Sequence, residues 1–158
     1  MHHFKIGWRT FKTALSVFIC LLLTYSLQRE TPVLACLATV YCLRTDHAST
    51  LNFSVHRLIG TFVGVLVSML AISVQMQVDS HILWQATIGA LGTILLIVIC
   101  NATKHPEGII TGVSTFFIIC FNTPFTETFG YAANRLIDVA IGAAVAIVVN
   151  FIMPGKKN

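Results

Sequence analysis

Apolar residues fall into six runs along this chain, broken by short polar stretches. The runs are Thr10 to Leu27, Thr31 to Leu43, Val55 to Met76, Ile82 to Cys100, Gly108 to Phe121 and Ala132 to Met153. A bilayer core of roughly 30 Å takes about 20 apolar residues in a helix. The first, third, fourth and sixth runs have that length. The second and fifth reach only about 20 Å at 1.5 Å per residue. Thr31-Pro32 is a good opening for the second run, with Thr as N-cap and Pro at the first helical position. Pro106-Glu107 opens the fifth, Asn122-Thr123-Pro124 closes it, and Pro154-Gly155 stops the sixth.

The order of lengths is long, short, long, repeated once. Residue identities repeat with it. Arg57-Leu58-Ile59, Gly64 and Val67 recur 78 positions later as Arg135-Leu136-Ile137, Gly142 and Val145. At the same offset Cys42 falls on Cys120 and Thr45 on Thr123. A three-helix unit used twice is expected, over about 1–77 and 78–158. Three crossings per unit is an odd number, so the second unit would run upside down relative to the first. The expected fold is an all-α membrane protein with six transmembrane helices in two inverted three-helix repeats, the second and fifth helices being short.

Composition supports the membrane class. Of 158 residues, 56% are hydrophobic and 10% charged, with a mean hydropathy of +0.82. A soluble domain carries about 25% charged residues. The net charge of +4 does not point to nucleic acid, because the basic residues sit in the breaks between runs. With the N-terminus in the cytoplasm and six crossings, Lys5, Arg9, Lys12, Arg44, Arg57, Lys104, Lys156 and Lys157 lie inside. Only Arg29 and Arg135 lie outside. That asymmetry places both termini in the cytoplasm. Trp8, Tyr25, Tyr41, Trp84 and Tyr131 fall near run ends, where amphipathic rings anchor. Lys5, Arg9 and Lys12 before Thr13–Tyr25 resemble a signal peptide. No small-x-small site follows, so the first run is read as retained. Lys12, one turn inside that run, is expected to snorkel to the surface.

Candidate chemistry is sparse. Asp138 lies two turns inside the sixth run, on the stripe Asp138, Gly142, Ala146, Asn150. A carboxylate there needs a partner or water, and Arg135, three residues earlier, is the expected one. The pair reads as a structural ion pair near the outer interface or as a substrate or proton site. Arg57 reads as a positive-inside anchor, or as half of an anion-binding pair with Arg135, one per repeat. Glu107 reads as a complement to a helix N-terminus, and is a secondary site candidate. Gly60, Gly64 and Ser68, like Gly142 and Ala146, are expected at close helix contacts. The fourth run has a similar stripe at Ala86, Gly89, Ala90 and Thr93. His47, His56, His81 and His105 are scattered at run ends and read as interfacial. The five cysteines lie inside apolar runs with no CxxC spacing, so neither a disulfide framework nor a metal site is expected. No cofactor and no catalytic motif is read.

The ordered set Ile6-Gly7-Trp8-Arg9-Thr10-Phe11-Lys12-Thr13-Ala14, Pro32 with Ala35 and Ala38, Arg57 to Gly64, Glu107-Gly108-Ile109 and Arg135-Leu136-Ile137-Asp138 with Ile141-Gly142 resembles the membrane half of the bacterial aromatic acid exporter family. That family is part of a wider group similar to fusaric acid resistance proteins. The resemblance implies a multi-pass plasma membrane protein exporting small aromatic or organic carboxylates. It also implies, more distantly, kinship with dimeric plant anion channels, hence a homodimer. Many members continue into a cytoplasmic domain. This chain ends at Pro154-Gly155-Lys156-Lys157-Asn158, so one transmembrane domain over 1–158 is expected. The alternative is a non-transporting membrane subunit or scaffold of a larger complex.

Overall fold

The structure, a computed structural model, describes residues 8–29, 32–44, 46–77, 82–123 and 127–153. The readings at Thr31, Thr45, His81, Pro124, Pro154 and Gly155 lie outside the described residues. Six α-helices follow in order: α1 (Trp8–Ser26), α2 (Pro32–Cys42), α3 (His47–Gln75), α4 (Ile82–Ala102), α5 (Ile109–Asn122) and α6 (Thr128–Ile152). A 3₁₀ turn, Pro106–Gly108, leads into α5. Among the described residues there is no strand. Helices α3, α4 and α6 are long and apolar enough to cross a bilayer. Helices α2 and α5 are short, at 11 and 14 residues.

Two helices start earlier than their apolar runs. Helix α3 begins at His47, two turns before Val55, because Asp46 caps it: its carboxylate accepts from the Ser49 backbone N–H at 3.0 Å. The Arg44 guanidinium stacks 3.7 Å over the Phe53 ring and holds the added turns. Helix α6 begins at Thr128, one turn before Ala132.

Helices α1 and α4 end alike. Arg29 N–H donates to Thr24 O and Gln28 N–H to Tyr25 O; His105 N–H donates to Cys100 O and Lys104 N–H to Asn101 O. This is the Schellman closure. It puts Gln28 (φ 49°) and Lys104 (φ 62°) in the left-handed region, which costs a non-glycine residue about 1 kcal/mol or more. In both places a proline then opens the short helix.

The chain forms two compact units. The first holds residues 1–55 and 137–158, and the second holds 56–136. The boundaries between them fall within helices α3 and α6.

In the second unit, α3 and α5 run in the same direction in backbone contact. A Cβ on Gly60 would overlap the carbonyl of Gly108, and one on Gly64 would lie 2.5 Å from Gly112 O. Further along, the Cys120 thiol donates to Ser68 O at 3.9 Å. Val67, Leu96, Phe116 and Ile119 fill the core around this contact. The Phe116 ring occupies the space that a side chain at Gly92 of α4 would need.

In the first unit, the end of α6 makes the same kind of contact with α2. A Cβ on Gly142 would overlap Ala35 O and the Ala38 methyl. The Thr39 hydroxyl bridges Ala35 O and Gly142 O at 2.9 and 3.0 Å. Cys42 and Leu43 pack with Ala143 and Ala146, and Cys20 of α1 packs with Ala35, Val145 and Val149. Shifting by 78 residues carries Gly64 to Gly142, Ser68 to Ala146, and Cys120 back to Cys42. So in each unit a long helix from one half of the chain packs on a short helix from the other half.

Candidate functional site

In the second unit, Arg135 stands on the first half of α6, between Ala132 and Leu136, which pack into the core. It is 5% exposed. Its Nε donates to the Thr115 hydroxyl at 3.0 Å, and that hydroxyl donates to Thr111 O at 2.8 Å. Its Nη1 is buried with no hydrogen-bond partner among the described residues. Thr115 sits near the middle of α5. Arg135 therefore lies at mid-depth of the short helix.

Arg57 is half-buried three residues before Gly60, at the other end of the same α3–α5 contact. Gly108 lies against Gly60, and seven residues separate Gly108 from Thr115. With Arg57 three residues before Gly60 on the parallel α3, the two arginines stand about 15 Å apart along the helix direction.

Beside Arg57, the structure brings His56 together with His105 and Glu107, about fifty residues away in sequence. The His56 and His105 rings meet edge to face, 4.5 Å between centroids. Glu107 places a carboxylate oxygen 3.8 Å from His56 Nδ1.

In the first unit, Asp138 is fully buried. Its ion pair is with Arg29, whose Nε lies 2.8 Å from Oδ1. One end of the same unit holds a second polar cluster. The Lys12 ammonium donates to Asn150 Oδ1. Asn150 Nδ2 donates to Asp46 O at 3.0 Å and to the Thr50 hydroxyl at 2.7 Å. Lys12 is 3% exposed and Asn150 1%. Lys12 does not snorkel; a hydrogen-bonding amide lies within its reach, so its ammonium stays inside.

The model of the family described as aromatic acid exporter family member 1 matches residues 4–153. The chain belongs to the aromatic acid exporter family. A relative from Bacillus subtilis (strain 168), the uncharacterized protein YqjA, is 29% identical over 151 residues, covering 96% of this chain and 44% of that protein. The chain therefore spans less than half the length of that relative.

Within this exporter-family chain the sequence candidates are dispersed. Arg57 and Arg135 share one unit at different depths, and Glu107 stands near Arg57's end. Asp138 was expected to pair with Arg135. Its ion pair is instead with Arg29, which the Schellman closure of α1 positions 109 residues away. Gly60, Gly64, Ser68, Gly142 and Ala146 all lie at the helix contacts described above. Ala86, Gly89, Ala90 and Thr93 line an apolar groove of about 500 Å³ with Phe117 and Phe121. Among the described residues no charged side chain lines it. Sequence reasoning passed over Arg29, Thr115, Lys12, His56 and His105 as site members. A signal did exist for Arg29: it and Arg135 are the two basic residues that the charge rule leaves outside, and both have buried polar partners.

Removing one member of a buried ion pair leaves a charge uncompensated, at about 3–5 kcal/mol. Arg29→Ala and Asp138→Asn should each lower the unfolding midpoint of the purified chain. Arg29→Met with Asp138→Leu together should recover most of the loss. A double variant no better than the worse single one would show that the pair is not the source of the cost.

Proposed function

We propose that this chain exports small aromatic or other organic carboxylates across the plasma membrane, with Arg135 as the buried anchor for the substrate's carboxylate. One observation carries this reading. A guanidinium is held within an apolar bundle with one nitrogen hydrogen-bonded to Thr115 and another, Nη1, unsatisfied. Such a group is costly to bury, and a carboxylate is the ligand its planar fork matches. Arg57 would receive the anion nearer the other end of α5. The Arg29–Asp138 pair, in the other unit, would act as a gate whose opening frees a carboxylate to take up a proton. Family membership supports transport rather than catalysis.

Export of labelled aromatic acid from proteoliposomes tests the anchor. Hydrogen bonds to a charged group contribute about 1.5–3 kcal/mol, so Arg135→Ala should cut flux by about tenfold or more. Arg135→Lys, which keeps charge but loses the fork, should fall between. Normal flux from a correctly inserted Arg135→Ala chain would remove the anchor. No flux from the wild-type chain, with a second protein copurifying at fixed stoichiometry, would favour a non-transporting subunit.

The charge asymmetry and the paired lengths also support six crossings in two inverted units with cytoplasmic termini. Gln28→Cys and Thr123→Cys, each in a chain stripped of its five native cysteines, should react with an impermeant thiol reagent from outside intact cells. Reaction at either position only after permeabilisation would overturn this arrangement of six crossings with cytoplasmic termini.

A further inference from the structure

The corner between α4 and α5 holds a cluster that neither the anchor nor the gate uses. His56 and His105 touch edge to face at 4.5 Å. Each has a buried Nδ1 with no hydrogen-bond partner among the described residues. A buried ring nitrogen left unsatisfied is costly, and here two occur side by side. Glu107 Oε2 is 3.8 Å from His56 Nδ1, too long for a hydrogen bond but within ion-pair reach.

The backbone holds both rings in place. His105 N–H donates to Cys100 O and its carbonyl accepts from Gly108 N–H. The His56 carbonyl lies against Gly108 so closely that a Cβ there would overlap it. The strained Lys104, at φ 62°, sets the path of the chain into the corner. These contacts fix the backbone that carries the rings, and the two Nδ1 atoms lack hydrogen-bond partners among the described residues.

We propose that His56, His105 and Glu107 form a proton-binding site, one proton being held between the imidazole pair and the carboxylate. A proton on His56 turns Nδ1 into a donor and gives it a charge that Glu107 attracts. That attraction closes the 3.8 Å gap and satisfies an orphan atom. Imidazole is the side chain suited to such exchange near neutral pH. The charged and titratable groups at the corner are His56 and Arg57 from α3, Lys104 and His105 from the end of α4, and Glu107 from the 3₁₀ turn. A metal ion is the less fitting occupant: among the described residues no group of three His, Cys, Asp or Glu is arranged to hold one.

The purpose of the site rests on the export reading. A proton bound beside Arg57 adds positive charge where a carboxylate would enter, so proton and anion should strengthen each other's binding. The site itself can be tested without substrate.

The test follows imidazole ring NMR signals of the full chain in lipid nanodiscs through a pH titration. The ring signals of His56 and His105 should change together in one transition. In Glu107→Gln that transition should move to lower pH, with about tenfold weaker proton binding. In His105→Gln, the variant that leaves Glu107 in place, the His56 transition should lose its coupled form. Two independent transitions unaltered by Glu107→Gln would overturn the proposal. So would a signal that responds to added zinc and reverts with chelator, which would assign the site to a metal. Neither result depends on whether the chain carries flux.

Discussion

The fold depends on backbone lying against backbone. Lipid tails are as apolar as leucine, so helices in a bilayer associate through close packing and polar contacts and not through burial from water. Here the close packing is made by missing side chains. Gly60 and Gly64 of α3 lie on Gly108 and Gly112 at the start of α5, and Gly142 of α6 lies on Ala35 of α2. Each contact joins a long helix to a short one, and each leaves no room for a single added methyl group. A third partner, Phe116 over Gly92, brings α4 into the second unit by the same device.

The polar chemistry follows from those contacts. Once α3 is seated on Gly108 and Gly112, Thr115 lies one turn further along α5, where its hydroxyl meets Arg135. The close approach of His56 to Gly108 sets the imidazole pair at the corner. In the other unit Asp138 is one turn before Gly142, so the glycine that seats α6 also buries the carboxylate, and Arg29 meets it. At the far end of the same stripe Asn150 ties Lys12 to Thr50 and Asp46. These buried groups meet partners that the packing sets. Arg135 Nη1, like Nδ1 of His56 and of His105, is left without a hydrogen-bond partner among the described residues.

Much of this was legible in the chain because membrane helices write themselves in long apolar runs. The six runs, the short second and fifth, and the small-residue stripes at Gly60, Gly64 and Gly142 are all periodic or local signals. What escaped was non-local. The partner of Asp138 lies 109 residues away and is delivered by a backbone turn at Gln28, whose positive φ has no glycine to announce it. His56 and His105 meet only because α3 packs on the α4–α5 corner. The early start of α3 was hidden because Asp46 to Ser54 is polar enough to read as a loop, while Asp46 in fact supplies a cap. Lys12 looked like an interfacial anchor because its amide partner stands at the opposite end of the sequence.

The thermal stability of single glycine variants of the full chain in detergent tests the packing claim most directly. Gly64→Ala and Gly142→Ala should each lower the unfolding midpoint, because overpacking of this kind costs about 1–3 kcal/mol. Gly130→Ala on α6, where an added Cβ meets nothing within 4 Å, should not lower it. Gly64 and Gly142 variants that unfold with the wild type would mean that the helices are not held by backbone contact, and the placement of Arg135 and Asp138 would lose its physical basis.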